Sequence, residues 1–368
     1  MRRLLRRAYR YLKCQYVRTC AFIIDALIVI PSIVRQKQIV TYYPRKSWMI
    51  RYIDLIRLRM SDGAVCIEYN AMGVDAKGRA PLDYVRRGQD HNSRIVACNK
   101  SSPVDWSAVL SNKYLFWLYS KALGLSVVPV LARWSRNSGG FINDLRVTQE
   151  QFVDFLKSRE SFFLKMENLW CGIGCFKITG AQGNILNGEG IHKIMSEMDF
   201  IVQPVIKQCK EMNALNPSSL NTIRIISCWN KDNAKPELLC LPLVRIGRDG
   251  AAIDNFAAGG IAIGLNADGT LKSVGFSHND KYEFSTHTKH PDWHYDFAER
   301  RIPFFAQVRE MATSYHKHFP HVKTIGWDIA IEESGPIVVE ANPGWDAMMM
   351  SIVHQMPLSE RLRQIGIY

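Results

Sequence analysis

The stretch that most limits the fold lies near the end of the chain. It reads GWDIAI, then ESG, then PIVVEAN, over residues 326–342. Two alternating runs around a polar, glycine-containing break spell a β-hairpin. Centred on Ser334, the hairpin sets Asp328 opposite Glu340, where cross-strand Cβ atoms lie ~5 Å apart. Alternation then puts Asp328, Ala330, Val338, Glu340 and Asn342 on one face. Ile329, Ile331, Ile337, Val339 and Ala341 take the other, which is the better core face. Two opposed carboxylates repel, and a bound divalent cation turns that repulsion into attraction. The ligand atoms on offer are oxygens, which suits Mg²⁺ better than zinc. A solvated acidic pair is the other reading of the same geometry. The corner Asn342-Pro343-Gly344 that follows favours a functional site.

Further strands surround this hairpin. SFFLKM, DFIVQPVI, NTIRIISCW, LLCLPLVRIG and GGIAIGL have strand length and β-branched or apolar content, and NADGT (266–270) makes a hairpin turn into LKSVGF. RIVACNK, near Ile95, reads as a strand, and AVCIEYNAMGV as a short strand and turn. Helix period marks MIRYIDLIRLRM, the segment from Ser111 to Gly124, and VREMATSYHKHF. Residues 148–159 carry Thr148 as N-cap and Gln151 in the capping-box place. Strands that alternate with helices and form antiparallel pairs give an α+β or mixed α/β class. With no internal repeat, the 368 residues divide into 1–35, 36–94, 95–355 and 356–368.

The charge is concentrated at one end. Residues 1–59 hold fourteen Lys and Arg against Asp25 and Asp54, so they account for +12 of the chain's +13. The remainder is nearly neutral, which removes the usual reason to expect nucleic acid. In MRRLLRRAYRYLK the basic residues fall on one side of a helix and the leucines on the other. CAFIIDALIVIPSIV (20–34) is apolar but short and interrupted by Asp25, a poor membrane span, and no small-residue cleavage site follows it. A helix lying on an anionic membrane surface fits 1–35, and so does a helix packed on the main domain. Nine scattered cysteines suit reduced thiols in a cytoplasmic setting.

A second half suits phosphate. Lys165 ends a strand and precedes Gly172 and Gly174, which permit close backbone approach. Gly-x-Gly also marks ordinary hairpins, so the loop alone decides nothing. Cys171 and Cys175 flank it without the second pair a zinc site needs. DFIVQPV carries a polar residue before proline, a place to present backbone groups to an adenine edge. In NTIRI, Asn221 and Arg224 point to opposite faces. Arg224 is the better phosphate partner, although a surface arginine is equally compatible.

The order of these blocks resembles the ATP-grasp superfamily, and most closely its sugar-transfer-associated family. The resemblance runs from about residue 95 to 350. It rests on NTIRI, GWDIAI and VVEANPGWD, with Lys113, Lys165, Arg245, Asp254-Asn255 and Gly259-Gly260 in sequence between and before them. It implies an ATP-grasp fold, two α+β lobes closing on ATP, behind a basic helical N-terminal extension. It also implies roles by position. Lys113 and Lys165 hold the ATP phosphates, and residues 167–174, with Glu167, Gly172 and Gly174, form the glycine loop. Gln203 and Val205 form the hinge that reads adenine, and Glu211 is a ribose contact. Arg224 and Arg245 face the transferred phosphoryl group or the acceptor, and Lys165 is catalytic with them. Asp328, Glu340 and Asn342 hold two magnesium ions. The chemistry so implied is ATP-dependent activation of a carboxylate as an acylphosphate, followed by attack of an amine or other nucleophile. Such chemistry needs positioning and electrostatics rather than a protein nucleophile. The partners implied are ATP and unidentified carboxylate and nucleophile substrates of glycan biosynthesis, and the basic, apolar N-terminus fits a lipid-linked acceptor at the inner face of a membrane. A glycan kinase and a silent membrane scaffold are the alternatives.

Other residues tempt more than they support. His287, His290 and His294 lie in a polar, Pro-containing segment that reads as an acceptor-side loop. His316, His318 and His321 sit at a helix end, with solvent as the expected partner. Met348 to Met350 suit core or lid packing. Trp345 and Asp346 follow the metal strand and point toward the acceptor.

Overall fold

The computed structural model describes residues 18–39, 43–83, 91–100, 102–169, 172–179, 189–230, 235–248, 250–251, 254–279 and 283–367. The basic run before residue 18, together with Cys171, lies outside them. The chain forms two compact units, one from Met1–His91 with Asp346–Arg363, the other from Asn92–Trp345 with Gln364–Tyr368.

The larger unit is α+β, as expected, and holds two sheets. Its first sheet contains β1 (Ala132–Ser135), β2 (Gly139–Ile142), β3 (Leu145–Val147), β4 (Ser161–Met166), β5 (Cys175–Thr179) and β6 (Phe200–Gln203), in the order β3-β2-β1-β6-β4-β5. Helices Gln149–Lys157 and Glu189–Glu197 supply Phe152, Leu156, Ile191 and Met195 to a core shared with Phe162, Leu164 and Phe200 of the sheet. The capping box of the first helix is present, with Thr148 and Gln151 each satisfying the other's backbone.

The second sheet contains β7 (Thr222–Cys228), β8 (Glu237–Leu238), β9 (Leu243–Ile246), β10 (Ile261–Leu265), β11 (Leu271–His278), β12 (Phe284–His287), β13 (Thr324–Glu332) and β14 (Gly335–Asn342). Its order is β12-β11-β10-β9-β7-β13-β14, with β8 on β7. Period two sorts its residues. Ile223, Ile225, Val244, Ile246, Ile325, Trp327 and Ile329 pack into one core with Val308 and Ala312 of helix Phe305–His316. Thr222, Arg224, Arg245 and Asp328 are left on the opposite face.

The β13–β14 hairpin pairs Asp328 with Glu340 and Gly326 with Asn342, but the register shifts between Asp328 and Ile329. Ile329 therefore faces Val338, and Val338 joins the core instead of the carboxylate face. A β-bulge explains the difference, because the extra residue at Val339 lets both Val338 and Glu340 reach their preferred environments.

Two expected strands are absent. RIVACNK belongs to helix His91–Asn99, whose buried Asn99 donates to the carbonyls of Thr324 (2.8 Å) and Pro343 (2.6 Å) and accepts from the Thr324 amide (2.9 Å). AVCIEYNAMGV is a series of turns, with Met72 N–H donating to Glu68 and Val74 N–H to Tyr69.

The smaller unit contains a helical run through residues 18–35, with a π-turn at Asp25–Val29, and helix Trp48–Asp62. Lys46 pairs with Asp54 (2.8 Å), which also accepts from the Tyr69 hydroxyl (2.7 Å). Burial and the Asp54 carboxylate push the Tyr69 phenol up, so it stays a donor. Among the described residues no helix is long and apolar enough to cross a membrane.

Candidate functional site

Strand register builds the site. Glu340, Asp328 and Arg224 occupy directly paired positions on β14, β13 and β7, and Thr222 pairs with Arg245 on β9. Direct pairing puts their side chains in one row on the face away from the core. Arg224 grips the buried Asp328 with two forked bonds, Nε to Oδ1 (2.5 Å) and Nη2 to Oδ2 (2.9 Å). Arg245 adds a contact to Asp328 Oδ2 (3.0 Å). The Asn342 amide donates to Asp328 Oδ2 and Glu340 Oε1, at 3.3 Å each.

The electrostatics separate the two carboxyls. Burial works to raise Asp328, but Arg224 and Arg245 outweigh it and hold the carboxyl well below the usual range. Burial and the facing Asp328 push Glu340 up, and Lys113 and Lys165 pull it part of the way back. Lys113 itself is lowered by burial, with Glu340 opposing and Lys165 adding to the effect. The two lysines and Glu340 are thus electrostatic neighbours, although the lysines come from elements outside the hairpin's sheet. Lys113 is the first residue of helix Lys113–Ala122, capped by Asn112, and its Nζ donates to the Leu169 carbonyl (2.5 Å).

The loop residues have definite places. Lys165 is paired with Cys175 across β4 and β5, and Gly172 and Gly174 form the turn between those strands with φ of 72° and 70°. A Cβ at Gly174 would lie 2.5 Å from Met166 Cγ, so the turn closes only with glycine there. Glu167 is buried and accepts from Arg133 Nε (2.6 Å) and Asn112 Nδ2 (3.0 Å), bracing the start of the loop against the Lys113 helix. Gln203 ends β6, and its amide donates to the Val128 carbonyl (3.1 Å). Val205 follows in the segment that runs on to β13, where Cys209 N–H reaches the Ile331 carbonyl (2.8 Å). Glu211 is exposed on helix Lys210–Leu215, and no hydrogen bond among the described residues joins it to the carboxylate cluster.

The sequence reading gave Asp254 and Thr222 no role. Asp254 accepts from the Thr222 amide (2.9 Å) and hydroxyl, and contacts Arg245 (3.2 Å), which in turn reaches Thr222 Oγ1 (2.9 Å). This network fixes the second guanidinium over the cluster. The available signal was Gly260, where a Cβ would lie 2.8 Å from the Asn255 carbonyl and 3.0 Å from that of Asp254.

Several expectations need correction. His316 is fully buried rather than solvated, bonded to Ser227 and the Val322 carbonyl. Trp345 is buried too, with Nε1 donating to Thr324 Oγ1 (3.1 Å), and Asp346 caps helix Ala347–His354. Neither is aimed outward at a second substrate. His290 is buried against the Gly247 carbonyl (2.9 Å), and His287 ends β12 against Ser277 (2.8 Å). Among the described residues no three His, Cys, Asp or Glu gather as a metal-binding group. Asp328 and Glu340 are two carboxylates completed only by an amide.

The family model described as sugar-transfer associated ATP-grasp matches residues 184–367. No curated protein matches the sequence. Among solved structures, D-alanyl-alanine synthetase A from Vibrio cholerae is similar at 16% identity and a TM-score of 0.42, over 71% of this chain and 66% of that one. D-Alanine-D-alanine ligase from Helicobacter pylori gives 13% and 0.39, over 72% and 60%. N5-carboxyaminoimidazole ribonucleotide synthetase from Thermotoga maritima gives 11% and 0.35, over 69% and 48%. The chain thus spans between about half and two thirds of the length of these structures.

Proposed function

The chain belongs to the sugar-transfer associated ATP-grasp family, and from that premise we propose that it is an ATP- and Mg²⁺-dependent ligase. In this reading it activates a carboxylate and joins it to an amine or another nucleophile. The substrates are groups of a glycan or glycan precursor, in keeping with the family's description. The work is done beside an anionic membrane surface that the basic N-terminal segment contacts.

One observation carries the reading. Asp328 and Glu340 are held side by side with Arg224 and Arg245 on one sheet, and Lys113 and Lys165 act on Glu340 from other elements. Four cations around a carboxylate pair suit a polyanion bound with a metal. The donor set of two carboxylates and a carboxamide is all oxygen, which fits a hard divalent cation. The raised Glu340 points the same way, because a cation there would favour its charged form. Asp328, Glu340 and Asn342 would hold the ion, and magnesium would supply neutralisation of phosphate charge.

The chain's own residues have the remaining tasks. Lys113 and Lys165 bind and orient the phosphates, and Arg224 and Arg245 face the group in transfer. A substrate carboxylate oxygen attacks the γ-phosphorus of ATP, and ADP leaves with the electrons of the broken bond. The amine then attacks the acyl carbon, loses a proton, and expels inorganic phosphate.

Calorimetry with a non-hydrolysable ATP analogue tests the site. Wild type should bind only with magnesium, and Glu340→Ala should lose at least about tenfold in affinity, a cost of ~1.4 kcal/mol. Absence of binding by the folded wild type sinks the reading and leaves a scaffold. Product mass then separates ligation from phosphorylation. A gain of the amine partner less water supports the ligase, and a gain of one phosphoryl group supports a kinase.

A further inference from the structure

The first two helices described in the smaller unit expose large apolar side chains that a water-facing surface would bury. In the run through residues 18–35, Ile23, Ile24, Leu27 and Ile28 form one stripe, and they are exposed, Leu27 by 70% and Ile28 by 65%. The other side of that run holds a charge, with Asp25 bonded to Arg59 Nε of the next helix (2.6 Å). Helix Trp48–Asp62 also exposes apolar side chains. Its buried side mixes Arg51 and Asp54 with Leu55 and Leu58, and its exposed side presents Trp48 (63%), Ile53 and Met60 (71%). The helices are joined by the bond of Tyr52 Oη to the Ala26 carbonyl (3.1 Å) and of Arg51 Nη1 to the Val34 carbonyl (2.6 Å).

Ordinary surface helices bury the apolar stripe and expose the charges. Large apolar side chains exposed on both helices mark an interaction face. We infer that this two-helix face lies in the interfacial layer of an anionic lipid bilayer. The proposal deepens the membrane contact proposed above, extending it from residues 1–35 to the second helix.

Charge complementarity selects that occupant. Residues 1–59 carry fourteen basic side chains and two acids. Both acids are consumed internally, Asp25 by Arg59 and Asp54 by Lys46. Arg18, Arg35, Lys37 and Arg57 are exposed in the same segment, and its two acids are paired elsewhere. A second copy would bring the same positive segment against this one and be repelled. Anionic headgroups neutralise the rim, while the aliphatic stripe and Trp48 enter the boundary between headgroup and acyl chain. Insertion to that depth agrees with the finding that no helix among the described residues is long and apolar enough to cross.

The test is flotation of the full chain with phosphatidylcholine vesicles, with and without phosphatidylglycerol. Wild type should float with the anionic vesicles. Leu27→Glu/Ile28→Glu and Met60→Glu should each weaken flotation by about tenfold or more, because each puts a charge into the apolar layer. These side chains are exposed, so the variants should fold, and urea-unfolding transitions matching the wild type's verify it. Because vesicle binding and nucleotide binding are read separately, failure of one is distinguishable from failure of the other. Equal flotation of wild type and the glutamate variants would overturn the proposal and leave basic attraction alone. So would the absence of flotation, with light scattering assigning the face to a second copy if wild type is a dimer that Leu27→Glu/Ile28→Glu dissolves.

Discussion

Burial decides which protonation state a side chain keeps, and His316 illustrates it. Its Nε2 faces the Val322 carbonyl (2.8 Å), so Nε2 carries the hydrogen, and Nδ1 accepts from the Ser227 hydroxyl (2.7 Å). The Ser227 oxygen in turn accepts from Trp327 Nε1 (2.7 Å). Every polar atom in the chain of contacts is satisfied only while the imidazole is neutral. Burial pushes its pKa down to about 4, with Lys323 adding to the effect and the Val322 bond opposing it. The unfolded chain has the ordinary value of ~6.5. The unfolded state therefore binds the extra proton first, so stability is full above pH ~6.5 and is lost as pH falls toward about 4, by ~3 kcal/mol in total. His316→Gln should remove that part of the slope, measured by urea unfolding of both proteins across the window. Parallel slopes would mean that the imidazole titrates alike in the folded and unfolded chain. A helix-end histidine carries no mark of this in the sequence, because its burial comes from strands some ninety residues earlier. Asp328 and Glu340 were legible, since a hairpin fixes its own register locally. The bulge at Val339 was not, because it answers to the core on the far side of the sheet.

Elements read well from sequence where the signal is local and poorly where packing decides. The helix begun by Thr148 announced itself through its capping box. RIVACNK carries β-branched residues, yet it folds as helix because Ile95 and Asn99 are buried and Asn99 finds its three partners at Thr324 and Pro343. Tertiary contact overrides a weak propensity there. The turn between β4 and β5 was visible as Gly172 and Gly174, and the reason for glycine is now specific. At Gly174 φ is +70°, and a Cβ would strike Met166 at 2.5 Å and Leu169 Cδ1 at 3.0 Å. Gly174→Ala should cost about 1–3 kcal/mol in stability. Since the Gly174 carbonyl accepts from Met166 N–H (2.9 Å), one residue after Lys165, the distortion should also reach the lysine. Calorimetry with the ATP analogue should show several-fold weaker binding in the variant. Lost stability at unchanged affinity would make the turn a fold element with no share in the nucleotide site.

At the scale of the whole molecule, the uneven charge was plain from the sequence, but the joining of distant segments was not. Asp346–Arg363 folds with Met1–His91, and no local pattern announces a contact across so much chain. The structure shows what joins them. Gln355 ends helix Ala347–His354 in a left-handed conformation, and its amide donates to the Ala71 and Ile352 carbonyls, both at 2.6 Å. Its Oε1 occupies the space over Gly73, where a Cβ would lie 2.1 Å away, and Gly73 has φ of +67°. A methyl group at this point meets both a strained backbone angle and the amide that ties the two segments. Gly73→Ala should therefore destabilise the smaller unit by about 1–3 kcal/mol. Nucleotide-analogue affinity should hold, because the carboxylate cluster lies wholly in the other unit. The companion change Gln355→Ala clears the space but gives up the amide bonds. A double-mutant cycle read by urea unfolding separates the two causes, since contacting residues fail to add. If the clash is real, Gly73→Ala should cost less in the Gln355→Ala background than in wild type. Simple addition would place the cost in the backbone angle and in Arg79 Nη1, 2.7 Å from the same point, and clear Gln355 of the clash.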